Sequence, residues 1–125
     1  MNAEFLPKYL ALVREHNKLH NPQPGEQHTR LLRSILGCAA ESGELASAAM
    51  QSISNNCDID PLEALDEFGD VLFNLVRGLD ALGFDLELAM MANSSKLISR
   101  ALRGKNKPSE RRVLENLVSE VACDS

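Results

Sequence analysis

The feature that most constrains this chain is a run of acids without bases. From Ser34 through Val76 the sequence carries eight carboxylates (Glu41, Glu44, Asp58, Asp60, Glu63, Asp66, Glu67 and Asp70) and no Lys or Arg. Several of them sit among Leu, Ile, Val, Phe, Ala and Met. Carboxylates gathered in apolar surroundings repel one another, and loss of hydration adds to that cost. Such a segment either keeps its acids in water or takes positive charge from outside itself. A hard divalent cation, which prefers carboxylate oxygen, is the chemically matched source.

The periodicity around this run is helical throughout. Residues 3–19 read as a helix, with Phe5, Tyr9, Leu12, Val13 and Leu19 near helical spacing. Asn21-Pro-Gln-Pro-Gly25 breaks it. A second helix is expected from about Glu26 to Ile53, its apolar face formed by Leu31, Leu32, Ile35, Leu36, Ala39, Leu45, Ala49 and Met50. Gly37 and Gly43 lie inside it, each at a cost of roughly 1 kcal/mol against Ala, which points to close packing or to ligand access. Ser54 to Asp60 reads as a loop. Asp60-Pro-Leu-Glu63 combines an Asp cap, a proline at the first helical position and a Glu three residues after the cap. The third helix runs from there to about Leu82, ends at Gly83, and is apolar over enough of its circumference to lie centrally. Asp85 caps a fourth helix to about Arg103, which Gly104 ends; Lys105 to Pro108 is a linker. Ser109 caps a last helix, about 110–122, striped by Val113, Leu114, Leu117, Val118 and Val121. With 125 residues and no strand pattern, the expectation is one all-α domain: a compact antiparallel bundle of four to five helices.

Composition removes several function classes. A net charge of −5 argues against generic nucleic-acid binding. Cys38, Cys57 and Cys123 are odd in number and widely spaced, which fits neither a disulfide framework nor a zinc knuckle. Pro7 and Lys8 interrupt the first apolar run, so no signal-peptide pattern is present, and no stretch is suited to spanning a membrane. A cytoplasmic location is expected.

Within the acid run, spacing singles out two pairs. Helical residues three apart lie about 60° apart around the axis and about 4.5 Å along it. Glu41 and Glu44 therefore share one face of the second helix, and Glu67 and Asp70 one face of the third, with Asn74 and Arg77 extending that stripe. Two facing helices can bring four carboxylates to one point, an oxygen-rich site suited to Mg²⁺ or Mn²⁺. A di-iron bundle would need Glu-x-x-His motifs, which the chain lacks; His16, His20 and His28 all precede the acidic segment, and His16 and His20 read as surface residues. On the fourth helix Asn93, Lys96, Arg100 and Arg103 form a stripe of opposite character, suited to phosphate. Phe5 and Tyr9 read as core rather than as a platform for a base, and Met90 and Met91 as core or interface.

These motifs resemble those of the MazG-like nucleoside triphosphate pyrophosphohydrolases. Gly37-Cys-Ala-Ala-Glu41-Ser-Gly43-Glu44-Leu45 resembles that family's glycine-flanked E-x-x-E helix, and Glu67-Phe-Gly-Asp70 its E-x-x-D motif, 22 residues on. Asn93-Ser-Ser-Lys96, with Arg100 following, is similar to its N-x-x-K segment. The resemblance covers about residues 30–105; the first helix and the tail lie outside it. It implies an all-α fold, Mg²⁺ held by Glu41, Glu44, Glu67 and Asp70, and a general base, for which Glu41 is favoured. It further implies phosphate contacts from Lys96 and Arg100, with Asn93 orienting the substrate. The implied reaction cleaves an NTP or dNTP to the monophosphate and pyrophosphate, in a homodimer or dimer of dimers. Related all-α enzymes specific for dUTP or phosphoribosyl-ATP carry similar acid pairs. A non-catalytic helical interaction module is the reading from another class.

Overall fold

The computed structural model describes residues 3–20, 26–101 and 110–124. Five helices account for nearly all of them: α1 (Phe5–His20), α2 (Gln27–Asn55), α3 (Pro61–Leu82), α4 (Leu86–Ala101) and α5 (Glu110–Asp124). Among the described residues there is no strand, so the all-α expectation holds. The chain divides into two units, Met1–Gly83 and Phe84–Ser125.

Local signals set the helix ends. The Asp60 carboxylate accepts from the Leu62 N–H at 2.9 Å, and Pro61 needs no donor partner at its position. Gly83 closes α3 in the left-handed region, at φ 76°. α2 runs two residues past Ile53, to Asn55; there Asn56 takes φ 48°, a conformation that Asn tolerates better than most residues. In the second unit, Asp85 accepts from Leu88 N–H at 2.8 Å and starts α4. The Gly104 stop, the Lys105–Pro108 linker, the Ser109 cap and Arg103 lie outside the described residues.

In the first unit α3 is the central helix, packed on both α1 and α2. Successive helices run in opposite directions. Gln27 Nε2 donates to the Ala81 carbonyl, Ser34 faces Gly78, Gly37 faces Asn74, and Cys38 Sγ reaches the Val71 carbonyl at 3.9 Å, so α2 descends as α3 rises. α1 rises with α3, Tyr9 lying near Asp70 and Asn17 near Arg77 and Asp80.

The seam joining α2 and α3 differs from the expected apolar face. The α2 side is Leu31, Ser34, Cys38, Glu41, Leu45 and Ala48, none of them exposed; Leu36 and Met50, assigned inward from the sequence, are 69% and 64% exposed. Small residues decide this. A Cβ on Gly37 would stand 2.1 Å from Asn74 Oδ1, and one on Gly78 would stand 3.3 Å from Ser34 Cβ. The two backbones come together where side chains are shortest, and the bulkier Leu and Ile positions turn outward. Asn74 is buried in the Gly37 notch and donates to the Asp70 carbonyl one turn back, at 3.0 Å. Arg77 does not continue the acid stripe. Its Nε donates to Asn17 Oδ1 at 2.9 Å, while Asn17 Nδ2 donates to Asp80, and Arg14 pairs with Asp80 at 3.5 Å. This network ties α1 to the upper half of α3.

Two consequences follow for the surface of the hairpin. Residues one position after each seam residue form apolar stripes: Leu65, Phe68, Leu72, Leu75 and Leu82 on α3, and Leu32, Ile35 and Ile53 on α2, all exposed. In an antiparallel pair, stripes offset in the same sense from the contact seam fall on the same side. The residues one position before the seam, among them Glu44, Glu63, Asp66 and Asp70, fall on the opposite side. Toward the Pro61 end the hairpin is thus apolar on one side and acidic on the other; toward Leu82 the second side carries Phe73 and Arg77 and is packed against α1.

In the second unit α4 packs on α5. Leu88 is buried, Val113 and Leu117 are half-buried, and Leu114, Val118 and Val121 stay exposed. Met90 and Met91 are exposed as well, which excludes the core alternative for them. No helix among the described residues is long and apolar enough to cross a membrane.

Candidate metal centre on the acidic side of the hairpin

Three of the four paired acids converge. One ligand oxygen each from Glu41, Glu67 and Asp70 lies within 4.8 Å of the others. Glu41 comes from the seam face of α2, Glu67 from the seam face of α3, and Asp70 from the next turn of α3 on the acidic side. Glu41 and Glu67 are half-buried, and Asp70 is exposed. The antiparallel register, fixed by the Gly37–Asn74 and Ser34–Gly78 contacts, places these turns opposite one another.

The electrostatics are those of a cluster short of positive charge. The Glu67 carboxyl is pushed above its ordinary range, first by desolvation and then by the negative charges of Glu41, Glu44, Asp70 and Asp66. Among the described residues no Lys or Arg pairs with Glu41, Glu67 or Asp70. A set of three carboxylates on two helices, with no basic partner among the described residues, fits a hard divalent cation.

Glu44 lies outside the converging trio. It lines an adjoining groove of about 340 Å³ with Glu63, Asp66 and Glu67. Glu63 and Asp66 belonged to the acid run but were not singled out by E-x-x-E spacing; the signal for them was their position one residue before the seam. Asn93, Lys96 and Arg100 lie on α4, in the second unit, with Lys96 half-buried and the other two exposed.

A second feature escaped the spacing argument. A cleft of about 830 Å³ opens between the start of α1 and α3, lined by Phe5, Leu6, Tyr9, Leu72 and Phe73 together with Gly69 and Asp70. Phe5, assigned to the core from the sequence, is 62% exposed here. Burial, and after it the neighbouring Asp70 carboxylate, holds the Tyr9 phenol above its usual value, so it stays a neutral donor. Phe73 is held in place by the Arg77 guanidinium over its ring at 5.2 Å and by the edge-on ring of His16 at 5.2 Å. His16 is therefore an exposed residue in an aromatic pair; the side chain of His20 lies outside the described residues. The three cysteines are unbridged.

The chain matches no family model, no curated protein and no solved structure.

Proposed function

We propose that the chain is a Mg²⁺-dependent nucleoside triphosphate pyrophosphohydrolase. The observation that carries this reading is the convergence of Glu41, Glu67 and Asp70 from two antiparallel helices within a base-free acidic segment. The ordered motifs that resemble the MazG-like family point the same way. In this reading Glu41, Glu67 and Asp70 hold Mg²⁺, with Mn²⁺ as a substitute, and Glu44 completes the set. When bound, the cation supplies polarisation of the α-phosphate and neutralisation of the departing pyrophosphate.

The chain's own groups do the rest. Glu41, the favoured base, takes the proton of the attacking water through whichever oxygen is not committed to the cation. Lys96 and Arg100 supply charge-assisted hydrogen bonds to phosphate oxygens, and Asn93 orients the nucleotide. Products separated by anion exchange test the assignment. Incubation of the common NTPs and dNTPs with Mg²⁺ should give the monophosphate and pyrophosphate in equal amounts. Diphosphate with orthophosphate, or no Mg²⁺-dependent turnover of any of them, would sink it.

The apolar side of the hairpin favours a homodimer as the working state. Its stripes run for about 25–30 Å along two adjacent helices, each about 10 Å wide. Such a face approaches the roughly 800 Å² per partner of a standard interface. At about 500–600 Å² it also stands at the upper end of the apolar patches that monomers expose, where such patches are often functional. A second copy seated there completes a four-helix core and leaves both acidic sides outward. Light scattering across a low-micromolar dilution series should report twice the chain mass.

A further inference from the structure

We infer that the cleft between α1 and α3 seats the flat ring of a nucleobase, recognised mainly by stacking and fit. The inference rests on the hydrolase reading only for what lies at the ring's other end, the polyphosphate carried to the neighbouring carboxylates. Asp70 belongs to both places: it lines the cleft and is one of the three converging acids. A ligand that spans them needs an apolar planar part and an anionic part that a cation can bridge to carboxylates. A nucleotide has that division of character.

The walls specify the planar part. A volume of about 830 Å³ is ample for a base and its sugar. Phe5, Tyr9 and Phe73 offer ring faces and edges, and Leu6 and Leu72 fill between them. Phe5 is out of the core and 62% exposed, so much of its ring is open to a ligand. Phe73 is anchored by Arg77 and His16, so one wall is fixed before any ligand arrives.

Gly69 supplies an independent observation. A glycine inside a helix costs about 1 kcal/mol against Ala. At Gly37 and Gly78 close helix packing accounts for it, because an added Cβ would meet Asn74 or Ser34. At Gly69 an added Cβ would meet nothing within 4 Å. The same is true at Gly43, so open space alone does not mark a site; what sets Gly69 apart is that it lines the cleft, where its missing side chain keeps the space open.

The same walls set the selectivity. Tyr9 and Asp70 bring the only polar side-chain groups among the lining residues; the backbone of Gly69 to Phe73 is committed to α3, while the Phe5 and Leu6 amides, in the first turn of α1, have no acceptor within the helix. A pocket that reads shape separates related ligands by roughly 10- to 200-fold, against about 10⁴ or more for one that reads donors and acceptors. The four common bases should therefore differ by less than about 100-fold in kcat/KM, with purines ahead because they stack over a larger area.

Tyr9 is the only tyrosine and the chain has no tryptophan, so intrinsic fluorescence reports on this cleft alone. The probe is adenosine, without phosphate and without Mg²⁺, added to the full-length protein with correction for its absorbance. Saturable quenching of Tyr9 is expected, with no change on adding ribose 5-phosphate. Gly69→Leu fills the cleft and should abolish the response while helicity and Tm are retained. Phe5→Ala removes an exposed wall and should weaken adenosine binding roughly tenfold. Absence of saturable quenching in the wild-type protein overturns the inference. So does an unchanged response in a folded Gly69→Leu variant and in Phe5→Ala. Because adenosine cannot be hydrolysed, the two readings fail separately. Pyrophosphate release with a silent Tyr9 removes the cleft and leaves the hydrolase; quenching without Mg²⁺-dependent hydrolysis does the reverse.

Discussion

The two sides of the α2–α3 hairpin are separated by a shift of one residue in register, yet they are opposite in chemistry. One position after the seam lie Leu65, Phe68, Leu72 and Leu75; one position before it lie Glu63, Asp66, Asp70 and Phe73. The apolar side asks to be covered by something large and apolar. The acidic side concentrates unneutralised charge around Glu67. The seam between them is made of small and polar residues, Ser34, Gly37 and Cys38 against Val71, Asn74 and Gly78, because those let two helices approach closely. The contrast teaches that one helix pair with a narrow seam can carry an apolar face and a carboxylate cluster side by side.

The comparison breaks first at the acidic side. Asp70→Asn and Glu67→Gln keep shape and remove anionic ligation, so steady-state turnover should fall by about 100-fold or more, the scale of losing a preorganised charge-stabilising group. Circular dichroism and mass in solution should not change. Near-normal Mg²⁺-dependent hydrolysis in either variant would detach the carboxylate trio from the reaction.

The apolar side is tested in the complementary way. Ile35→Arg together with Leu75→Arg places like charges on the face proposed to meet a second copy, where like-charge juxtaposition costs several kcal/mol. Light scattering should then report a single chain. If the mass is unchanged by the two arginines, this side is not the dimer interface.

The seam is sharpened by two glycines of opposite environment. Gly37→Ala drives a methyl into Asn74 and should destabilise by about 1–3 kcal/mol. Gly69→Ala meets nothing and should stabilise by up to about 1 kcal/mol through helix propensity. Chemical denaturation measures both; effects of the same sign would contradict the packing described for α2 and α3.

The smallest effect is the pH dependence of Glu67. Its folded-state pKa is raised, so folding takes up protons and the associated stability is fully present below the unfolded value of 4.5. That contribution is lost as pH rises through the folded value. In EDTA, the Tm difference between Glu67→Gln and the wild-type protein should therefore grow as pH climbs from 4 toward neutrality, with the variant the more stable. A difference independent of pH would mean that its neighbours do not load Glu67.

Much of this was legible in the chain itself, because caps and acids act locally. Asp60-Pro61, Gly83 and Asp85 mark helix ends through hydrogen bonds and backbone angles confined to a few residues. The E-x-x-E and E-x-x-D spacings place Glu41 with Glu44, and Glu67 with Asp70, on common faces by helix geometry alone. What tertiary structure decided was which of two neighbouring stripes became the seam. A 3.6-residue period leaves stripes one position apart nearly equivalent, and hydrophobicity favoured Leu32, Ile35 and Leu36. Closeness of approach favoured Ser34, Gly37 and Cys38 instead, since only a partner helix with Asn74 and Gly78 at the matching height makes small residues the better contact. That choice fixed the register, and the register decided that Glu41 meets Glu67 and Asp70 while Glu44 faces the neighbouring groove. It also left Phe5 and Tyr9 at the mouth of a cleft, a placement that depends on where α1 is tied by Asn17 and Arg14 and that no periodicity within α1 encodes.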